Sequence, residues 1–159
     1  MAEEEKKAPP HVSIQAQYVR DVSFENVAVR DGEGRLDQQP DIQVSVNLDA
    51  KKKPDNLFEV ILKVNATAKG GEKVMFIVEL EYAGIFRIEN IEERQLHPVL
   101  MIECPRIIFP FARRIVSDLT RDGGFPPLML DMVDFAGIYR QEVERRRAEL
   151  AEGEAAGNA

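Results

Sequence analysis

The sequence has very few of the residues that bind metals or form disulfide bonds. Its 159 residues include one cysteine, two histidines and no tryptophan. A single cysteine excludes an intramolecular disulfide, and Cys104, His11 and His97 do not form a plausible set of metal ligands. We therefore expect no disulfide framework and no metal.

The residues that would indicate catalysis are equally sparse. Cys104 and His97 could act as a nucleophile and its base, but they are seven positions apart with Pro98 between them, and no Gly-rich oxyanion element follows. A buried structural thiol and a surface imidazole are the simpler interpretation. The glycine pairs at 70–71 and 123–124 lack the Gly-Lys-Ser/Thr spacing of a phosphate-binding loop. The sequence predicts no enzyme, no nucleotide and no cofactor.

Long apolar runs and an excess of positive charge are also absent. No apolar stretch approaches the roughly 20 residues of a membrane span, and residues 1–5 lack the basic and apolar regions of a signal peptide, so we expect a cytoplasmic protein. The net charge of -7 and the pI near 5.0 disfavour nucleic acid and anionic bilayers, and favour basic or amphipathic partners. The one basic cluster, at 145–147, lies among glutamates that can pair with it along a helix. We expect neither nucleic-acid binding nor membrane insertion.

Alternation of apolar and polar residues predicts four strands. In the first strand the polar face includes Asp21 and Glu25, and the apolar face consists of Val12, Ile14, Ala16, Tyr18, Val22 and Phe24. Residues 27–40 have a composition typical of loops and predict a crossover connection without regular structure. The other apolar faces consist of Ile42, Val44, Val46 and Leu48, then Phe58, Val60, Leu62 and Val64, then Val74, Phe76, Val78, Leu80 and Tyr82. Residues 68–72 predict a hairpin between the last two strands.

The periodicity changes after Gly84, where apolar residues recur at spacings of three and four. This pattern predicts a helix from about residue 98 to 120. Pro105 and Pro110 each remove an amide donor, so we expect that helix to be kinked. An apolar linker at 125–132 separates it from a final helix that runs from Phe135 to about Leu150.

These elements predict one α+β domain over residues 11–150, in which a four-stranded antiparallel sheet precedes two helices. Residues 1–10 and 151–159 predict a disordered arm and a flexible tail. Ile61, Met75 and Ile77 fall on the nominally polar strand faces. The chain thus has more apolar positions than one small core can cover, which favours an oligomer.

Three segments carry a resemblance to a known family. They are Glu103-Cys104-Pro105-Arg106-Ile107-Ile108-Phe109-Pro110-Phe111, Gly124-Phe125-Pro126-Pro127-Leu128-Met129-Leu130 and Val133-Asp134-Phe135. The chain closely resembles the SecB protein-export chaperones, from about residue 12 to 145. The resemblance implies a homotetramer built as a dimer of dimers, with long helices between sheets and outer grooves for unfolded polypeptides. It implies an ATP-independent chaperone that keeps secretory precursors unfolded and delivers them to the translocation ATPase SecA.

The resemblance also suggests site residues. The predicted client-binding residues, which would line a groove for unfolded chains, are Phe125, Leu128, Met129 and Leu130, with Leu36 in place of the aromatic that the family often has in its crossover loop. The predicted SecA-binding residues are Asp21, Glu25, Ile77 and Glu79. Val78, Leu80 and Tyr82 match positions where family members pair subunits, and we expect an exposed strand edge there.

Each assignment has a simpler alternative. The linker side chains could pack onto the sheet, the carboxylates could form an ordinary solvated face, and the fourth-strand residues could only fill the core. Two other functions also stay open: a general or toxin-linked chaperone that ignores SecA, and a structural adaptor for one fixed partner. Retention of Asp21, Glu25 and Glu79 argues against the first of these.

Overall fold

The computed structural model describes residues 8–32 and 39–157. The chain forms a four-stranded antiparallel sheet with helices packed on one face, which confirms the predicted α+β class. The strands are β1 (His11–Asn26), β2 (Asp41–Lys53), β3 (Leu57–Gly70) and β4 (Lys73–Glu89). The helices are α1 (Val27–Arg30), α2 (Glu93–Pro98), α3 (Cys104–Asp122) and α4 (Phe135–Gly157).

The strand order is β1-β4-β3-β2, so β4 lies inside the sheet and β1 and β2 form its edges. Strands β2 to β4 follow one another through tight hairpins. Their turns place Asp55, Asn56 and Gly71 at positive φ, a conformation that asparagine, aspartate and glycine tolerate best. The prediction of an exposed edge along the fourth strand is wrong, because β1 pairs with one side of β4 and β3 pairs with the other.

Two bulges interrupt β1. The register with β4 shifts between Ile14 and Ala16 and again between Val19 and Asp21, so Gln15 and Arg20 are the extra residues. Each bulge exchanges the two faces of the strand. Ala16 and Tyr18 therefore lie on the face without helices, opposite Ile85 and Ala83, and their predicted place on the apolar face is wrong.

The main helix is longer than predicted. α2, a π-helical turn at Val99–Glu103 and α3 follow one another without a break from Glu93 to Asp122. The wider π-helical turn ends just before Pro105, where the missing amide donor interrupts regular α-helical bonding. Strand β4 also continues beyond Gly84 to Glu89, since the apolar alternation persists there.

Three further boundaries differ from the expectations. The crossover after β1 begins with α1, because the side-chain oxygen of Asn26 accepts a hydrogen bond from the amide of Val29 at 3.3 Å. Helix α4 continues past Leu150 to Gly157, so 151–157 are helical. Residues 1–7 of the predicted arm and residues 158–159 lie outside the described residues. None of the helices within 8–32 and 39–157 combines the length and the apolar composition that a membrane-spanning helix needs.

The core lies between α3 and the central strands. Ile108, Ala112 and Val116 of α3 are fully buried and share one helical face. They belong to one apolar cluster with the helix-facing residues of β3 and β4, which include Val60, Leu62, Val64, Val78, Leu80 and Phe86. This packing fixes the position of α3 and of the linker that follows it.

Gly84 marks the closest approach of the helix to the sheet. A Cβ atom at this position would lie 2.7 Å from the Phe86 ring and 3.1 Å from Cγ2 of Ile108. Glycine therefore lets α3 pack directly over β4.

Replacing Gly84 with alanine should destabilise the protein because the new methyl group forces Phe86 and α3 apart. We expect the free energy of unfolding, measured by urea denaturation, to fall by about 1–3 kcal/mol. Gly153→Ala is the matched control, since it adds the same methyl group to α4 with no atom within 4 Å. That variant should be neutral or gain up to about 1 kcal/mol. Equal stability of the two variants would contradict close packing at Gly84.

Candidate functional site

The linker between α3 and α4 is anchored by Thr120, the last buried residue of α3. The Thr120 hydroxyl lies 3.0 Å from the carbonyl oxygens of Val116 and Ser117, and it accepts a hydrogen bond from the amide of Leu128 at 2.9 Å. The Thr120 carbonyl accepts a second bond, from the amide of Phe125 at 3.1 Å. Two amide groups of the linker thus donate hydrogen bonds to Thr120, one to its hydroxyl and one to its carbonyl, and hold the linker against the end of the helix.

Aromatic packing fixes both ends of the linker. The Phe125 ring lies 4.8 Å from the Phe76 ring, and the Phe135 ring meets Phe109 edge-on at 5.9 Å between centroids. Phe125 and Leu130 are each 4 % exposed. Phe125 lines neither of the clefts described below and packs beneath the linker, whereas Leu130 contributes to the lining of the cleft beside β2.

The remaining predicted client-binding residues differ from one another. Leu128 is half-buried against the core, while Met129 is 57 % exposed. Leu36 lies outside the described residues. Met129 is thus the one residue of this predicted set that presents a large apolar surface within the described part of the chain.

The linker separates two apolar clefts. The strand cleft, about 320 Å³, lies between the linker and the edge strand β2, and Ile42, Val44 and Val46 form its strand side. The helix cleft, about 450 Å³, lies between the linker and α3. Met129, Met132 and Val133 line both clefts.

Two exposed residues at these clefts were missed by the sequence analysis. Met132 is 82 % exposed and Val44 is 45 % exposed. Val44 has the alternation of an ordinary half-buried strand residue, and only its place on the edge strand leaves it open. Methionines adapt readily to different apolar shapes, so their position between the clefts suits binding of varied sequences.

The helix cleft also has a cationic side. Arg106, Arg113 and Arg114 of α3 line it beside apolar residues. Arg106 is 3.3 Å from Glu103 and Arg114 is 3.5 Å from Asp118, so two of the three charges are paired. The Nε atom of Arg113 is buried without a hydrogen-bond partner in the described part of the chain.

The predicted SecA-binding residues lie together on the helix-free face. In the register, Glu25 is opposite Ile77, Ser23 is opposite Glu79, and Asp21 is opposite Glu81. Directly opposite residues share a face with Cβ atoms about 5 Å apart, and the next pair along lies about 7 Å away. β1 and β4 therefore form one acidic surface, made of Asp21, Glu25, Ile77, Glu79 and Glu81.

Basic neighbours pair with only part of this acidic surface. Glu25 lies 3.9 Å from Arg30, and Glu81 lies 3.5 Å from Lys63. These side chains are substantially exposed, so solvent screens both pairs. Asp21 and Glu79 are exposed and form no ion pair with any described residue, which leaves the surface negative.

The predicted interface residues Val78, Leu80 and Tyr82 face the helices and are at most 6 % exposed. Directly across from them on β1 lie Phe24, Val22 and Val19. Val22 is 43 % exposed and Val19 is 42 % exposed, as the helices of the same chain do not cover this edge. The uncovered apolar strip on β1 is where a second chain could reach the core.

The candidate catalytic pair has an unsuitable environment. Burial, with a smaller contribution from the Glu103 carboxylate, raises the pKa of the Cys104 thiol to about 12. The thiol therefore stays protonated near neutral pH, where it is a poor nucleophile. His97 is exposed, and its Nδ1 lies 3.4 Å from the Tyr139 hydroxyl.

Replacing Thr120 with valine should loosen the linker, because the buried Leu128 amide loses its acceptor. We expect the free energy of unfolding to fall by about 1–3 kcal/mol and hydrogen exchange at the Leu128 amide to accelerate. Thr120→Ser removes a methyl group but keeps the hydroxyl, so exchange at Leu128 should stay slow. Equal exchange rates at Leu128 in the two variants would contradict the anchoring role of the hydroxyl.

Comparison with known proteins places the chain in a family. Residues 5–146 match the family described as preprotein translocase subunit SecB. The protein-export protein SecB of Dinoroseobacter shibae is 55% identical over 152 residues, covering 92% of this chain and 86% of the relative. That of Roseobacter denitrificans is 50% identical over 162 residues, covering 95% and 97%.

A solved structure has the same fold. The SecB-like chaperone Rv1957 of Mycobacterium tuberculosis, in complex with a ChAD peptide from the HigA1 antitoxin, matches with a TM-score of 0.63 and 16% identity. The match covers 77% of this chain and 91% of that one. Together with the close relatives, it leads to one conclusion: the chain belongs to the SecB family of protein-export proteins.

Proposed function

We propose that this protein is a cytoplasmic, ATP-independent chaperone that binds unfolded secretory precursors and delivers them to SecA. The observation that carries the proposal is the separation of two unlike surfaces. The apolar clefts lie on the helix side of the chain, and the acidic surface lies on the opposite face of the sheet. Membership of the SecB family supports the same function.

The clefts on either side of the linker hold apolar segments of a client. Burial of apolar area contributes roughly 25 cal/mol per Å², so one side chain in one cleft gives only weak binding. Several clefts on one assembly raise the effective concentration of each further contact. A long unfolded chain is thus held firmly while each segment exchanges, and no ATP is needed for release.

Delivery uses the acidic surface. Asp21, Glu25, Ile77 and Glu79 form the surface that receives a basic segment of SecA. The exposed, unpaired carboxylates of Asp21 and Glu79 attract positive charge, and Ile77 adds an apolar contact beside Glu79, opposite Glu25. Clients and SecA then occupy different faces of the same chain.

Assembly into a homotetramer, a dimer of dimers, provides several clefts for one client. The uncovered apolar side chains support association: Ile14, Val19 and Val22 on β1, with Ile107 and Phe111 on α3, are each between 39 % and 43 % exposed. Such a patch is larger than isolated surface apolar residues would give. Val78, Leu80 and Tyr82 contribute by supporting Phe24, Val22 and Val19 from the adjacent strand.

Reversing charge on the acidic surface should abolish delivery. We expect Asp21→Lys with Glu25→Lys to lower the affinity for SecA by at least about 100-fold in a calorimetric titration, since attraction becomes repulsion. Suppression of aggregation of an unfolded precursor should be unchanged. Asp41→Lys with Asp49→Lys is the matched control, because it makes the same charge change on the same face at the far strand β2. Unchanged SecA affinity would mean that SecA binds elsewhere on the chain. Failure of the unmodified protein to bind SecA, with intact client capture, would favour a SecA-independent chaperone.

Polar substitution in the clefts should impair client capture. We expect Val44→Gln with Met129→Gln to weaken binding of an unfolded precursor about tenfold, because roughly 1–2 kcal/mol of apolar contact is lost. Light scattering of several unrelated aggregating clients measures this loss. Leu150→Gln on α4 is the control, as it removes an apolar side chain that is even more exposed than Val44 and Met129 and lies far from the linker. A loss for one client alone would favour a structural adaptor.

A further inference from the structure

Glu59 is a buried carboxylate on the helix-free face of the sheet. It lies on β3 and is 7 % exposed. A carboxylate at this depth requires partners, because loss of hydration strongly disfavours an isolated charge. Both partners come from β1, which does not pair with β3. The Tyr18 hydroxyl donates a hydrogen bond to Oε2, and Nη1 of Arg20 lies 3.7 Å from Oε1.

The contact crosses the whole width of β4. Tyr18 is opposite Ala83 in the register, and Glu59 is opposite Ile85. Ala83 is fully buried, and its small side chain leaves a path between the phenol and the carboxylate. Tyr18, Arg20 and Glu59, the latch cluster, thus join an edge strand to a strand two positions away.

The latch cluster holds the irregular part of β1. Tyr18 lies between the two bulges, and Arg20 is the extra residue of the second one. With Tyr18 held on the helix-free face, the second bulge returns Asp21 and Glu25 to that same face. Without the second bulge, regular alternation from Tyr18 onward would place Asp21 and Glu25 on the face that carries the helices.

Glu59 does not add to the acidic surface itself. Arg20 offsets its charge, and it is buried rather than open to a partner. Burial, followed by the hydrogen bond to Glu59, raises the pKa of Tyr18 to about 12. The phenol therefore stays protonated and continues to donate across the neutral range.

We propose that Tyr18, Arg20 and Glu59 are positioning residues of the delivery surface, which fix the bulge of β1 and thereby present Asp21 and Glu25 to a basic segment of SecA. This inference rests on the proposed delivery function. The latch cluster touches neither cleft, so its loss separates delivery from client capture.

Two variants of the full-length chain test the latch cluster: Tyr18→Phe and Glu59→Gln. Tyr18→Phe removes only the hydroxyl, and Glu59→Gln removes the charge. We expect each to weaken SecA binding about fivefold or more in a calorimetric titration, with suppression of client aggregation unchanged. Hydrogen exchange at the amides of residues 19–22 should accelerate, which shows directly that the bulge has loosened.

A double-mutant cycle and a stability control exclude a purely structural effect. If both residues act through one cluster, the double variant should bind SecA no more weakly than the worse single variant. Val60→Ala, which lies in the core on the other face of β3, lowers stability without touching the latch cluster. It should leave SecA affinity and exchange at 19–22 unchanged.

The outcomes distinguish the two levels of the proposal. If charge reversal at Asp21 and Glu25 leaves SecA affinity intact, SecA does not bind the acidic surface. If the unmodified protein does not bind SecA at all, the delivery function itself is wrong. If charge reversal weakens binding while Tyr18→Phe and Glu59→Gln bind SecA normally, only the positioning role is overturned. An equal loss of affinity in Val60→Ala would overturn it as well, since general destabilisation would then account for the effect.

Discussion

The packing of α3 onto β3 and β4 is the constraint from which the other features follow. Gly84 lets the helix approach so closely that Ile108, Ala112 and Val116 are completely buried. One helix covers only the centre of a four-stranded sheet, so the helix-facing sides of β1 and β2 stay partly open. The opening at β2 becomes the strand cleft, and the one at β1 becomes the uncovered strip that favours association.

The opposite face owes its chemistry to the edge strand. No helix in the described part of the chain covers this face, so it can carry charge, and β1 brings two of its carboxylates beside those of β4. A regular strand held at Tyr18 would not do this, because the face of every later residue depends on the second bulge. The one extra residue at the second bulge thus determines which side chains of β1 lie on the helix-free face, where a partner can contact them.

Alternation predicted most of the sheet because one buried face imposes a period of two on every strand. It also placed Val12, Ile14, Val22 and Phe24 correctly, since two bulges restore the original parity for residues after the second one. Ala16 and Tyr18 lie between the bulges, and no local signal in the sequence marks where the parity changes.

The site was harder to predict. Phe125, Leu130 and Met129 look equally apolar in sequence, and only the packing against Phe76 and the sheet separates buried supports from the exposed methionine.

The linker connects the two surfaces through a shared core. Phe24 and Phe125 both contact Phe76, and the side-chain amide of Asn26 donates a hydrogen bond to the Gly123 carbonyl at 2.8 Å. The end of β1 that carries Glu25 is therefore joined to the start of the linker. Because that start is also bonded to Thr120, the linker cannot swing away as a unit without exposing buried polar groups and aromatic surface. Adaptation to different clients must then come from side chains, and Met129 and Met132, which line both clefts, have the rotational freedom to provide it.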